Sequence, residues 1–395
     1  MQRESAPPLR ERLKRPMALV AMVGALAVPA AKASQAESAK PAAEPLPQFV
    51  IGGKEDQIVD ESPEVSKQTA RALKDAGFNA VEMTAPWTYP AQCAEINNDL
   101  NRYRNAFSAL RDEDMLPILN LIPGGGAGLG KAPTSPSQQR CYKDTLISYL
   151  HLFSEVEPGG NIVFEVPNEP NYEMFWKPQS SAPKAVVRTL EKVYKPIKEE
   201  AEKLGVNATI IGGGLGAKQA ANFTKDMGTA RRESSYKGQL MDGFSLHPYG
   251  LANNEPPDTI HPEMSAVGLG DLTAFESLLD QTFQKPLPIW LTEYGAKVKV
   301  PQEKQSKYDN INQTANNLIS EAQQAEFYAK AIRIARCNRR VSAIIFFNPI
   351  DDKEMHPNGG WWTSGVMRPD LEPKPAYSAV QTEAGLAKAN RYDSC

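Results

Sequence analysis

Two glutamates, each placed directly after a short apolar run, are the residues of this chain best suited to paired acid–base and nucleophilic chemistry. Asn168 and Glu169 follow the apolar run 162–166, and Glu293 follows the run 288–292. If both runs are strands, the two carboxylates stand at strand carboxyl ends, where α/β barrels gather their catalytic groups. Two carboxylates that face one cleft can cleave a glycosidic bond with retention, one as acid/base and the other as nucleophile. We therefore predict Glu169 as the acid/base and Glu293 as the nucleophile.

The segments that must position these residues alternate between short apolar runs and longer amphipathic ones. Strands are predicted at residues 49–52, 80–83, 116–121, 161–166, 208–211, 243–246, 289–292 and 342–347. Helices are predicted at residues 63–76, 98–114, 138–155, 183–204, 219–228, 271–283, 320–338 and 374–388. Eight strand–helix units predict the α/β class and a (β/α)8 TIM barrel that forms a single catalytic domain over residues 48–395. A doubly wound open sheet is the alternative, with fewer strands and a ligand site at one switch point.

The composition is that of a globular protein rather than of a nucleic-acid binder. The 395 residues are 41% hydrophobic and 23% charged, and a net charge of −3 is spread along the chain without a basic patch. We therefore expect no nucleic-acid partner, and the sequence leaves the oligomeric state open.

The N-terminal residues have the order of a secretory signal peptide. A basic stretch at 10–15 precedes an apolar stretch at 17–28, and Ala31-Lys32-Ala33 supplies a small-x-small cleavage pattern. The apolar stretch is about a dozen residues, short of the roughly 20 that a spanning helix needs. We expect residues 1–33 to be removed, residues 34–47 to form a disordered linker, and the mature protein to be secreted or periplasmic without a membrane contact; an uncleaved anchor is the alternative.

The chain has four cysteines, and export would permit them to form disulfides. Four cysteines allow three pairings. The predicted fold places Cys93 and Cys141 in neighbouring segments on the catalytic face, and it places Cys337 at a helix end near the terminus that carries Cys395. Cys93–Cys141 and Cys337–Cys395 are therefore the favoured pairs, with free buried thiols as the alternative.

Two segments carry a family resemblance. Residues 164–171, followed by Phe175 and Trp176, resemble the acid/base segment of the clan A retaining glycoside hydrolases, closest to family 39 and its exopolysaccharide-cleaving relatives and also similar to family 5. Residues 291–295 resemble the nucleophile segment of the same clan. The resemblance implies a (β/α)8 barrel, net retention, an oligo- or polysaccharide substrate and no cofactor. Two features depart from the clan: no tryptophan ends strand 8, and no arginine follows strand 2.

Other polar residues at predicted strand ends are candidate substrate contacts. Asn168 could hydrogen-bond a sugar hydroxyl beside the cleaved bond, a contact that strengthens in the transition state. His247 or Tyr249, after strand 6, could donate to Glu293 and keep it ionised, although a histidine packed beside a proline turn is an equal alternative. Asn120, after strand 3, and Asn348, after strand 8, are further candidates.

Aromatic side chains cluster in the predicted loops at the catalytic rim, and flat aromatic faces stack against sugar rings. The tryptophans proposed for substrate binding are Trp87, Trp176, Trp361 and Trp362. Any single one is more often part of a core, but the tandem pair lies in a loop rich in Gly, Pro and Asn and favours the cleft.

Signals for other chemistries are weak. The Gly125–Lys131 run resembles a phosphate-binding loop, but Ala132 stands where a metal-binding hydroxyl is required. The four histidines show no zinc spacing, so no metal is predicted. Besides a hydrolase, two functions remain open: a non-catalytic carbohydrate-binding barrel in polysaccharide assembly or export, and a transglycosylase.

Overall fold

A computed structural model gives the structure of the chain and describes residues 46–89, 93, 100–123, 132–313, 317–354, 362–392 and 395. Eight parallel strands close into a barrel in the order of the chain. They are β1 (Val50–Lys54), β2 (Ala80–Trp87), β3 (Leu116–Pro123), β4 (Asn161–Val166), β5 (Asn207–Gly216), β6 (Gly243–His247), β7 (Ile289–Tyr294) and β8 (Val341–Phe347). Since β8 pairs with β1, the sheet has no edge, which confirms the predicted (β/α)8 barrel and excludes the open sheet.

Eight α-helices alternate with the strands in the described residues. They are α1 (Pro63–Asp75), α2 (Leu100–Asp112), α3 (Pro136–Val156), α4 (Ala182–Leu204), α5 (Ala220–Glu233), α6 (Leu272–Phe283), α7 (Glu321–Cys337) and α8 (Pro375–Ala389). The start of α3 shows how the sequence sets such a boundary. The Ser135 hydroxyl accepts from the Gln138 N–H at 3.3 Å, and the Gln138 side chain accepts from the Ser135 N–H at 2.9 Å, so two otherwise unpaired helix donors are satisfied.

The barrel interior has an apolar lower layer and a polar upper layer, because side chains two residues apart on a strand point to the same face. The lower layer is Val50, Ala80, Leu116, Ile118, Val163, Ile211, Trp290, Ala343 and Ile345. An even number of residues further along the same strands, the inward positions are polar and buried: Lys54, Glu82, Asn120, Glu165 and Thr292. The polar cluster thus lies at the carboxyl end of the barrel, the end at which parallel barrels hold their active sites.

Six of the eight strands extend further toward their carboxyl ends than predicted, and β4 and β8 end where the sequence predicted. Predicted strand 2 stopped at Met83, whereas β2 continues to Trp87, and predicted strand 1 stopped at Gly52, whereas β1 continues to Lys54. Polar or small residues end the apolar runs before the hydrogen-bonded ladder itself ends. This difference matters because the extended ends hold the candidate site.

Both predicted disulfides are present. Cys93 and Cys141 are joined with their Cα atoms 5.2 Å apart, and Cys337 and Cys395 with theirs 5.5 Å apart. In the described part of the chain, no helix combines the length and the apolar character that crossing a membrane requires. Residues 1–45, which contain the predicted signal peptide and most of the predicted linker, lie outside the described residues.

Candidate active site

The two predicted catalytic glutamates meet at the carboxyl end of the barrel. Glu169 follows β4 and Glu293 lies near the end of β7. One carboxylate oxygen of each, together with a ring nitrogen of His247, forms a group whose atoms all lie within 4.8 Å of one another. Retaining glycosidases hold their two carboxyl groups about 5–5.5 Å apart, whereas inverting enzymes need roughly 6.5–9.5 Å. The distance between one oxygen of Glu169 and one of Glu293 is therefore below the inverting range and agrees with the retaining one.

Accessibility separates these two glutamates from the others in the same cluster. The side chains of Glu169 and Glu293 are 12% and 9% exposed, whereas those of Glu82 and Glu165 are 0% exposed. A substrate that enters from the rim can therefore touch the first pair and not the second.

A tight backbone approach holds Glu169 in place. Its φ of +37° lies in the left-handed region, which non-glycine residues adopt at a cost. Its N–H donates to the carbonyl of Gly214 at 2.7 Å. Gly214 has a φ of +50°, and a Cβ there would lie 2.0 Å from the carbonyl oxygen of Pro167. Only glycine fits at this bulge of β5, so Gly214 permits the close packing of the turn that carries Glu169.

A buried lysine contacts Glu293 from below. The Lys54 ammonium, at the end of β1, lies 2.6 Å from Oε1 of Glu293 and 3.0 Å from Oε1 of Glu82. It also donates to Oδ1 of Asn168 at 3.4 Å. Burial would lower the pKa of Lys54, but the negative charges of Glu293, Glu82 and Glu165 outweigh this and hold it well above its ordinary value. Lys54 is therefore a fixed positive charge beneath the predicted nucleophile.

Asn120 connects the remaining members of the polar layer. Its amide nitrogen donates to Glu165, to Oδ1 of Asn168 at 3.0 Å and to Oε1 of Glu82 at 3.3 Å. The Thr292 hydroxyl donates to Glu165 at 2.7 Å. The predicted sugar contact Asn120 is 0% exposed, so it positions Asn168 and the buried carboxylates instead of reaching a substrate.

His247 contacts both of the predicted catalytic carboxylates. Its Nδ1 is 3.0 Å from Glu169 and 3.4 Å from Glu293, and its Nε2 is 3.5 Å from Glu165. Burial opposes its ionisation, but the charge of Glu293 and hydrogen bonds with Glu165 and Glu169 hold the pKa of His247 well above its ordinary value. The Tyr249 hydroxyl donates to Oε2 of Glu293 at 3.2 Å. Both residues that were expected to support Glu293 thus contact it.

The electrostatic environment gives the carboxyl groups different proton affinities. Burial raises the pKa of Glu169, and His247 only partly opposes this. Burial would also raise the pKa of Glu165, but the hydrogen bond and charge of His247, together with Lys54, lower it to about 2. For Glu82, burial outweighs the charge of Lys54 and raises the pKa to about 8. Environments that separate the proton affinities of neighbouring carboxyls are typical of acid–base sites.

The predicted aromatic platform is wrong at two positions. Trp87 and Trp176 are both 0% exposed. Because β2 extends to Trp87, this side chain points outward from the barrel and packs edge-on against Tyr142 of α3, with ring centroids 5.3 Å apart. Neither indole therefore presents a face to a sugar.

Trp362 and Asn348 lie at the rim, and Trp361 lies outside the described residues. Trp362 is partly exposed, and its ring centroid is 4.7 Å from that of Phe347, the last residue of β8. Asn348 has a φ of +48°; its N–H donates to the Lys54 carbonyl at 3.0 Å and its side chain donates to Asp352 at 3.0 Å. Asn348 thus ties the end of β8 to the end of β1.

Sequence reasoning missed three members of the site: Lys54, Glu82 and Glu165. Glu82 and Glu165 fall inside predicted strands, and each lies two residues after an inward-facing apolar residue, Ala80 or Val163. A charged side chain at an inward position of an otherwise apolar strand was the signal that could have found them. Lys54 lay beyond the predicted end of strand 1.

Comparison with known proteins agrees with this geometry. The model of the cellulase family, glycosyl hydrolase family 5, matches residues 48–327, and the chain belongs to this family. It is accordingly a glycosidase, a retaining hydrolase of O-glycosyl bonds. No curated protein sequence matches the chain.

Similar solved structures share the fold at low sequence identity. A family 39 glycoside hydrolase from Bacteroides cellulosilyticus WH2 has a TM-score of 0.60 and 19% identity; it covers 86% of this chain, which spans 64% of that protein. GH5_18 from Bifidobacterium longum subsp. longum has a TM-score of 0.60 and 14% identity, covering 87% of this chain and 80% of its own. Xylanase 10B from Thermotoga maritima has a TM-score of 0.54 and 15% identity, covering 86% and 95%.

Proposed function

We propose that this chain hydrolyses O-glycosidic bonds in an oligo- or polysaccharide by double displacement, with Glu169 as the acid/base and Glu293 as the nucleophile. The observation that carries the proposal is the pair itself. One carboxylate oxygen of Glu169 and one of Glu293 lie within 4.8 Å of each other, and both side chains are partly exposed. The side chains of the other two glutamates of the cluster, Glu82 and Glu165, are fully buried.

In the first step, the protonated Glu169 gives its proton to the leaving oxygen while a carboxylate oxygen of Glu293 attacks the anomeric carbon. The bond to the leaving oxygen breaks and an ester bond to Glu293 forms. In the second step, ionised Glu169 takes a proton from water, the water oxygen attacks the same carbon, and Glu293 leaves as a carboxylate. The raised pKa of Glu169 favours the protonated form that the first step requires.

The contacts of Glu293 support its role as the ionised partner. Lys54 neutralises the carboxylate at Oε1, and the Tyr249 hydroxyl donates to Oε2, so both oxygens are oriented before substrate arrives. Asn168, which is held by Asn120 beside Glu169, is proposed to contact a sugar hydroxyl next to the scissile bond.

A polysaccharide-derived substrate and an exported enzyme are also part of the proposal. A variant of GH5_18 from Bifidobacterium longum has been solved in complex with Manb1-4GlcNAc, which supports an oligosaccharide as the substrate class here. The signal-peptide pattern over residues 1–33 and the two disulfides support a secreted or periplasmic location, with residues 34–47 as the linker.

The test is turnover of a panel of aryl glycosides by purified variants. Glu293→Gln should abolish turnover because a neutral amide cannot form the glycosyl-enzyme, and Glu173→Gln, an exposed change in the loop after β4, should leave it unchanged. Proton NMR of the first product formed by the unmodified protein should show the anomeric form of the substrate. Full activity of Glu293→Gln would remove this residue from the mechanism.

A further inference from the structure

A cavity adjoins the candidate active site through Tyr249. It has a volume of about 250 Å³ and lies among the segments that follow β6 and β7, with Tyr249, Tyr294, Lys297 and Trp362 among its lining residues. The hydroxyl of Tyr249 donates to Glu293, so the cavity lies one side chain away from the predicted nucleophile. The volume is below the roughly 300–1,000 Å³ of pockets for drug-sized ligands, which suits one small unit.

Lys297 and Trp362 form a pair at this cavity. The Lys297 ammonium lies 3.6 Å from the centroid of the Trp362 ring. Among the described residues, no hydrogen-bond acceptor and no carboxylate within ion-pair distance is recorded for this ammonium. Desolvation lowers the pKa of Lys297, and only the charge of Asp352 opposes this. A partly desolvated cation without a direct counter-ion is a favourable place for an anionic group.

The backbone of Lys297 is held by two hydrogen bonds to one side chain. The Asn253 side chain accepts from the Lys297 N–H at 2.6 Å and donates to the Lys297 carbonyl at 2.9 Å. The ammonium is therefore presented from a rigid base, which reduces the ordering that a ligand must impose.

The carboxylate on the other wall of the cavity is already engaged. Glu255 contacts Nε2 of His261 at 2.7 Å, and Asp271 contacts Nδ1 of the same ring at 2.7 Å. Burial opposes the ionisation of His261, but these two carboxylates raise its pKa, and the contact with the ring engages Glu255. Among the described residues that line the cavity, Lys297 is therefore the cation that is available to pair with a ligand.

We propose that Lys297 and Trp362 form a subsite for a sugar unit that bears a carboxylate. The Trp362 ring holds the ammonium over its face, and the N–H groups that point away from the ring can pair with a carboxylate of the sugar. A neutral sugar would leave these N–H groups without a charged partner. The inference rests on the proposed hydrolase function and names its substrate class: an acidic oligo- or polysaccharide, with the carboxylate either part of a uronic acid or part of a pyruvate ketal.

The test compares acidic substrates with matched neutral ones. The value of kcat/KM is measured for a uronate-containing oligosaccharide, the same oligosaccharide after carboxyl reduction, and a pyruvate-ketal oligosaccharide. The unmodified protein should prefer an acidic substrate by roughly 10- to 100-fold, the range of one charge-assisted hydrogen bond. Lys297→Met should remove this preference, whereas Lys299→Met, which removes an exposed charge two residues away, should keep it. The two acidic substrates distinguish the sources of the carboxylate.

Binding separates this inference from the hydrolase proposal. In the Glu293→Gln background, calorimetric titration with the acidic oligosaccharides should show binding that Lys297→Met weakens by the same factor. If neutral glycosides are hydrolysed but acid and neutral substrates are used equally, the subsite is wrong and the hydrolase stands. If no glycoside is hydrolysed, the hydrolase proposal fails and the titration decides the subsite alone: binding that depends on Lys297 supports it, and its absence overturns it.

Discussion

Replacement of Lys54 by methionine is the sharpest perturbation of the site, because it removes one charge and keeps most of the side-chain volume. The Lys54 ammonium lies 2.6 Å from Glu293 and 3.0 Å from Glu82, and its side chain is only 4% exposed. After the substitution, His247 is the remaining cation in contact with Glu293 among the described residues. Ionisation of Glu293 therefore becomes more difficult.

The magnitude follows from the burial of the pair. Loss of one partner of a buried ion pair costs about 3–5 kcal/mol. Each 1.36 kcal/mol changes a rate about tenfold, so the full effect would lower kcat/KM by roughly 100- to 5,000-fold. Glu82, whose pKa burial already raises to about 8, takes up a proton more readily without Lys54 and relieves part of this cost. We therefore expect kcat/KM to fall by about 10- to 100-fold, within the limit set by the ion pair.

The assay is the pH dependence of kcat/KM on an aryl glycoside. The substitution removes a positive charge that stabilises ionised carboxylates, so the loss of kcat/KM should be greater at acid than at alkaline pH. Lys54→Arg, which keeps the charge, should restore much of the activity at acid pH, and far-UV circular dichroism should confirm that both variants are folded. An unchanged kcat/KM across the pH range in folded Lys54→Met would refute the assignment of Lys54 as the charge that supports Glu293.

Three further outcomes are expected. The charge of Glu293 contributes to the raised pKa of Glu169, so Glu293→Gln should lower that pKa in an NMR titration of the carboxyl carbon; a rise would contradict the electrostatic account. Gly214→Ala should reduce kcat by about 100-fold, because a Cβ there displaces the catalytic turn, while Gly385→Ala, with open space around the new methyl group, should not. Lys374→Met, which leaves buried Asp351 without its 3.0 Å partner, should lower the free energy of unfolding by about 3–5 kcal/mol in denaturant titrations, and an unchanged midpoint would show that the pair is not stabilising.

The fold could be predicted from the sequence because element type depends on the spacing of apolar residues. Residues 161–166 were predicted as a strand and are β4, since the run is buried on both faces of a parallel barrel strand. The two glutamates that we propose as catalytic were identified in the sequence for a related reason. Each lies where an apolar run ends. Because the carboxyl ends of all parallel barrel strands lie on one rim, the order of strands and helices was enough to place both glutamates there.

The supporting charges could not be found in the same way. Lys54 follows two glycines that ended the predicted strand, although β1 continues through them beside β8. Glu82 and Glu165 lie within apolar runs, where a rule based on run length treats them as interruptions. Their roles depend on which face of the strand they occupy and on the residues that lie across the barrel. Glu82, for example, interacts with Glu293, which is 211 residues away in the sequence.

Two departures from the clan pattern have a common explanation in space. No arginine follows strand 2, yet a buried cation reaches Glu293 from the adjacent strand, at Lys54. No tryptophan ends strand 8, yet the ring of Trp362 packs against Phe347, the last residue of that strand. A catalytic pocket constrains where a charge or an aromatic face lies, not which segment supplies it. A close-packed barrel rim brings neighbouring strand ends and returning loops within side-chain reach of one another, so a different residue can take the same position. The same reasoning applies to Lys297, a cation that Trp362 holds at this rim and for which we propose an anionic partner in the substrate.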